Sequence, residues 1–136
     1  MSHSVRLVVL IVLAALAVWW FVLRAEPEST GAALVDIVVP DLPQSIRQGE
    51  ALFNANCASC HGTNAAGRYG LAPPLVHKFY EPNHHGDAAF QLAVQNGVRA
   101  HHWQFGNMPP VKNITPDEVA QVTAYIRVLQ RANGIH

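Results

Sequence analysis

Two cysteines, Cys57 and Cys60, stand two residues apart with His61 directly after them, and the chain has no others. On one helical turn such a pair can add across the two vinyl groups of a single porphyrin. The histidine then lies beneath the ring with Nε2 available to an iron as proximal ligand. One covalently bound haem at this point constrains the fold more than any other feature, because the core must be completed around it. A thioredoxin-like redox pair is a competing reading, but it wants a βαβ setting, and neither residues 48–56 nor the Gly/Ala/Pro-rich stretch after His61 resembles one. A structural zinc site is another, and it lacks a second pair of cysteines. A chance occurrence of the pattern is the third.

The amino end has a different character. Residues 7–23 form an uninterrupted apolar run that closes on Trp19, Trp20 and Phe21 and is flanked by Arg6 and Arg24. As a helix it would extend about 26 Å, the short end of what crosses a bilayer core. The tryptophans stand where an aromatic interface belt belongs. A cleaved secretory signal is the rival, but the run is long for a signal core and the small-x-small site Ala15-Leu16-Ala17 lies inside it. The expected organisation is a cytoplasmic N-terminus over 1–6, a transmembrane anchor over 7–23, a linker over 24–44 and a folded domain over 45–136. Pro27, Pro40 and Pro43 mark the linker, although its apolar piece, residues 33–39, should lie against the domain or a partner protein.

Only 13% of residues are charged, and from residue 25 onward seven basic side chains face all nine acidic ones. This slightly acidic balance excludes the basic surface that nucleic-acid binding requires.

Three helices are legible in the domain. The first, about 45–56, delivers Cys57 and places Ile46, Gly49, Leu52 and Phe53 on one face. The second, about 87–96, has Asp87 as its expected N-cap, Phe90, Ala93 and Val94 inside, and Gly97 as its stop. The third opens on Thr115-Pro116-Asp117-Glu118, a capping box with proline at the first helical position. Its stripe is Val119, Val122, Tyr125, Ile126 and Leu129, and Gly134 follows its end. No stretch alternates as a strand, so the domain is expected to be small and all-α.

From Arg47 to the C-terminus, about two thirds of the chain, these features resemble the class I, single-haem c-type cytochromes of bacteria. The resemblance implies a small cytochrome c fold, three main helices around one covalent haem c, behind an N-terminal transmembrane helix. In that family a glycine on the first helix and an aromatic on the last meet where the two cross, and Gly49 and Tyr125 match those positions. Haem is attached outside the cytoplasmic membrane in such proteins, which implies a single-pass chain with its domain in the periplasm. Charge alone orients the helix weakly, since Arg6 and Arg24 lie on opposite sides.

Of two methionines, Met1 is the initiator, so only Met108 in Gly106-Asn107-Met108-Pro109-Pro110 can offer the iron a thioether. A methionine in a proline-rich loop is a poor core filler, and the family's distal ligand sits in such a Met-Pro loop. Thioether ligation raises the potential relative to two imidazoles. The family's Pro-x-Leu element matches Pro73-Pro74-Leu75, with the Pro73 carbonyl accepting from Nδ1 of His61 and Leu75 packing on the porphyrin. Trp103 or Arg99 would hold a haem propionate, as tryptophan or arginine does in family members.

Two histidine pairs, His84-His85 and His101-His102, remain, with His77 and His136 apart from them. They read as exposed polar residues of two loops, as propionate donors, or as a transition-metal site to which each pair would give one ligand, since adjacent residues in extended backbone point oppositely.

The expected function is single-electron transfer between respiratory-chain components. The donor would be a redox protein such as a quinol-oxidising complex, and the acceptor a terminal oxidase or reductase. No enzyme activity and no small-molecule substrate are expected, because both axial positions of the iron are filled. The domain's acidity argues against a lysine-ringed docking face, and the tether would concentrate partners instead. A haem-based catalyst or sensor, which requires Met108 to dissociate, and a histidine-rich metal-handling accessory cytochrome are the alternatives.

Overall fold

The computed structural model describes residues 2–24 and 31–136. Helix α1, His3–Arg24, extends the apolar run by a turn at its start. Residues His3–Phe21 are long and apolar enough to cross a membrane, and none is buried against the protein. A core helix of a water-soluble domain would be covered, so this one is built for an apolar medium or for removal as a leader.

The domain is helical, and among the described residues no strand forms; two isolated bridges, Arg68 with Ala72 and Val98 with Met108, are its only extended pairings. Helix α2, Gln44–Asn56, leads into the single-turn α3, Ala58–His61. Helix α4 covers Asp87–Asn96 and α5 covers Pro116–Ala132. The α5 start forms the full capping box: the Thr115 hydroxyl accepts from the Glu118 N–H at 3.3 Å, and Glu118 Oε2 accepts from the Thr115 N–H at 2.8 Å. At α4 the expected cap is displaced by one residue. Gly86 is the N-cap and Asp87 the first helical residue, because the Asp87 carboxylate is taken by Arg127 at 2.9 Å.

Helices α2 and α5 make the principal contact. Gly49 is buried at the crossing, where a Cβ would stand 2.1 Å from the Gln121 carbonyl oxygen. Nothing larger than hydrogen fits. Beside it Phe53 and Tyr125 pack ring to ring, centroids 5.6 Å apart, both fully buried. Val122, Ile126 and Leu129 complete the α5 stripe, joined by Ala65, Leu75 and Val76 from the loops after α3.

From Gly31 onward the linker lies against the domain, while residues 25–30 fall outside the described chain. Leu34 and Val35 donate their backbone N–H groups to the Ala66 carbonyl. Asn133 accepts from the Val38 N–H and donates to the Val38 carbonyl, each at 2.9 Å. Ile37 and Leu42 pack against the core. Within 33–39 only Leu34, Val35 and Ile37 are partly covered, while Val38 and Val39 stay exposed, so partial burial and backbone hydrogen bonds together offset the entropy of ordering the strap.

Candidate functional site

Cys57, Cys60 and His61 are fixed by local backbone bonding. The N–H groups of Cys60 and His61 both donate to the Cys57 carbonyl, at 3.1 and 2.9 Å, which closes the turn. Cys60 is exposed and Cys57 half-buried, and both thiols are free. Burial, with a smaller push from Cys60, raises the Cys57 thiol to about 11. Among the described residues only isolated bridges form, so the parallel sheet that a thioredoxin-like pair requires is absent. Among the described residues these three side chains also do not converge as zinc ligands would.

The His61 ring is buried, and its Nδ1 donates to the Pro73 carbonyl at 2.9 Å. Burial lowers its pKa, opposed by that bond, so the ring is neutral at pH 7. With the proton on Nδ1, the lone pair is on Nε2. The bond falls on Pro73 and not on its neighbour Pro74, which lies buried in the core. Leu75 enters that core, against which Cys57 and Ala58 also pack.

Met108 lies on a separate segment, half-buried, and exchanges both backbone hydrogen bonds with Val98 at 2.9 Å. The Val111 N–H donates to the Val94 carbonyl, tying the far side of the loop to α4. Gly97 ends α4 with φ +73°, and a Cβ there would lie 2.5 Å from the Met108 carbonyl oxygen. The Met108 backbone is thus held against the end of α4.

Trp103 belongs to an aromatic group, edge-on to His77 at 5.1 Å and stacked on Phe105 at 5.7 Å. Its Nε1–H is buried and, among the described residues, meets no hydrogen-bond acceptor. Burial raises the Tyr80 phenol to about 12, with a small opposing pull from the Trp103 indole, which approaches it without full hydrogen-bond geometry. Arg99 is exposed; its carbonyl accepts from Nδ1 of His101.

The residues present fit a covalent haem. Two free thiols on one turn, an adjacent neutral imidazole with its lone pair on Nε2, and a buried indole N–H short of an acceptor are a matching donor set.

What residue patterns did not reveal is the frame behind the loops. Arg127, on α5 and buried, donates to Asp87 and to the carbonyls of Tyr80 and His85, the latter two at 2.6 Å. Gln130 donates to the carbonyls of Leu75 and Tyr80 at 2.8 and 2.9 Å. The available signal was an arginine and a glutamine three residues apart, each next to a stripe residue. The histidine pairs also depart from expectation. Residues 84–85 lie in a turn instead of extended backbone, so both histidines face the same group as His102.

The family model for cytochrome c matches residues 46–130. Cytochrome c-L of Methylorubrum extorquens is 35% identical over 86 residues, 62% of this chain and 40% of that protein. The cbb3-type cytochrome c oxidase subunit CcoP of Rubrivivax gelatinosus is 34% identical over 92 residues, 66% of this chain and 28% of that subunit. The corresponding subunit FixP of Sinorhizobium medicae is 33% identical over 103 residues, 71% and 34% of the two chains. The chain thus spans well under half the length of these curated relatives. No solved structure matches.

Proposed function

Because the chain belongs to the cytochrome c family, we propose that it is a membrane-tethered, single-electron carrier with one haem c, acting in a respiratory chain. The observation that carries this reading is the His61–Pro73 hydrogen bond on the same turn as two free cysteines. Haem c supplies a reversible one-electron iron couple when bound.

The chain's own residues do the rest. Cys57 and Cys60 hold the porphyrin by two thioether bonds. His61 would offer Nε2 to the iron, with the Pro73 carbonyl fixing its tautomer and strengthening it as a donor. Met108, whose backbone is held by the Val98 bridge and the close fit at Gly97, would supply the second protein ligand to the iron. Leu75 would pack against the porphyrin from the core, and the buried Trp103 indole N–H, or Arg99 at the surface, would hold a propionate. With His61 and Met108 both given to the iron, no small molecule would be bound or transformed there, and the reading is of an electron carrier instead of an enzyme.

Residues 7–23 act as a retained anchor with the domain in the periplasm of a bacterial cell. Two of the relatives are named as subunits of cbb3-type oxidases, which favours a terminal oxidase as acceptor and a quinol-oxidising complex as donor. The test is reductive titration of the detergent-solubilised chain, with carbon monoxide added to the reduced form. One electron per chain and no reaction with carbon monoxide are expected. Rapid carbon monoxide binding would point instead to a haem-based catalyst or sensor with a dissociable Met108.

A further inference from the structure

The turn at residues 81–86 and the loop at residues 98–108 bring His84, His85 and His102 together, with one ligand nitrogen from each within 4.8 Å of the others. We propose that these three imidazoles form a second metal site, for a zinc-class transition-metal dication, separate from the haem centre.

The spacing is the first argument. A tetrahedral ion with bonds of about 2.0–2.1 Å to nitrogen sets its ligand atoms about 3.3–3.4 Å apart. His84 Nε2 and His102 Nε2 stand 3.3 Å apart, already the edge of such a tetrahedron. The third nitrogen has at most about 1.5 Å to close, within reach of a ring rotation.

The second argument is how the rings are held. His85 donates Nδ1–H to the Phe79 carbonyl, which leaves Nε2 with the lone pair, the support that metal-bound histidines characteristically receive. His102 stacks on Phe79, centroids 4.7 Å apart and planes 19° from parallel. The backbone of the turn is fixed as well, since the His85 carbonyl accepts from the buried Arg127 and the N–H groups of His84 and His85 both donate to the Glu81 carbonyl.

The donor set chooses the ion. Three imidazoles and no carboxylate suit zinc or copper(II), and do not suit calcium or magnesium. Three protein ligands leave a fourth position for water. A bound ion would pin the turn before α4 to the loop that leads into Met108, six positions beyond His102.

The site is tested on the untagged, haem-loaded full chain in detergent, dialysed against zinc chloride with the metal measured per chain. One zinc per chain is expected, and His84→Ala or His102→Ala should each weaken binding by about a hundredfold or more, since loss of a supporting partner alone costs up to that. The optical spectrum should stay unchanged in both variants, which shows that the domain is intact. His136→Ala should bind as the parent does. Zinc X-ray absorption should show nitrogen neighbours at about 2.0 Å. The proposal is overturned if the parent retains no zinc, if His84→Ala and His102→Ala bind it undiminished, or if sulfur neighbours at about 2.3 Å place it on the cysteines.

Discussion

The Asn133 side chain closes on the backbone of Val38 from both directions, accepting its N–H and donating to its carbonyl, each at 2.9 Å. One amide just beyond α5 thereby fixes a strap that precedes α2. Asn133→Ala removes both bonds and a third to the Leu129 carbonyl. The groups are largely exposed, so the loss should be about 1 kcal/mol. Limited proteolysis should then cut within residues 34–41, where the parent resists. Equal resistance in the variant would show that Ile37 and Leu42 suffice to hold the strap.

Gly49→Ala should be severe. The new methyl group would meet the backbone of Gln121, which cannot rotate aside, and α2 must lift away from α5. Overpacking of this kind costs about 1–3 kcal/mol or more, read as a melting point lower by several degrees. An unaltered melting point would mean that the helices do not pack as described.

The parts of the fold that were legible in the sequence are those set by neighbours along the chain. The α5 cap needs only Thr115 and Glu118, and the α5 stripe needs only helical spacing, so both stand where the residues put them. Gly49 and Tyr125 were legible through resemblance, since nothing local says that a glycine faces a helix 70 residues on. Pro27, Pro40 and Pro43 give the strap the look of a linker, while the apolar residues at 33–39 carry the opposite message. Convergence of His84, His85 and His102 depends on a turn and on Arg127 beneath it, and neither leaves a periodic trace. Pro73 was legible through the same resemblance, and the hydrogen bond from His61 falls on its carbonyl.

Arg127→Met keeps the apolar stem but removes the donors that satisfy the carbonyls of Tyr80 and His85. Gln130 still serves Tyr80, so the groups orphaned are the His85 carbonyl and the buried Gln130 Oε1, which accepts from Arg127 at 2.7 Å. The cost should be about 2 kcal/mol, with hydrogen exchange fastest in residues 80–87. Uniform protection across the domain would show that the network is dispensable.

The α5 cap should titrate. Hydrogen bonds from the Thr115 backbone and hydroxyl hold the Glu118 carboxyl below its ordinary value of 4.5. A depressed carboxyl stabilises the fold fully above that ordinary value, and loses its contribution as pH falls through the folded one. The difference in melting point between the parent and Glu118→Gln should therefore be present at pH 7 and shrink below pH 4.5. A difference constant with pH would contradict the cap's electrostatic part.

The central claim, a haem iron held between His61 and Met108, is tested most directly by the optical spectrum of the oxidised, haem-loaded chain beside its Met108→Ala variant. The parent should show the weak band at the red end of the visible range that reports iron–thioether ligation. The variant should lose it, keep its haem on a denaturing gel, and show a lower midpoint potential. Identical spectra and potentials in the two proteins would remove Met108 from the iron.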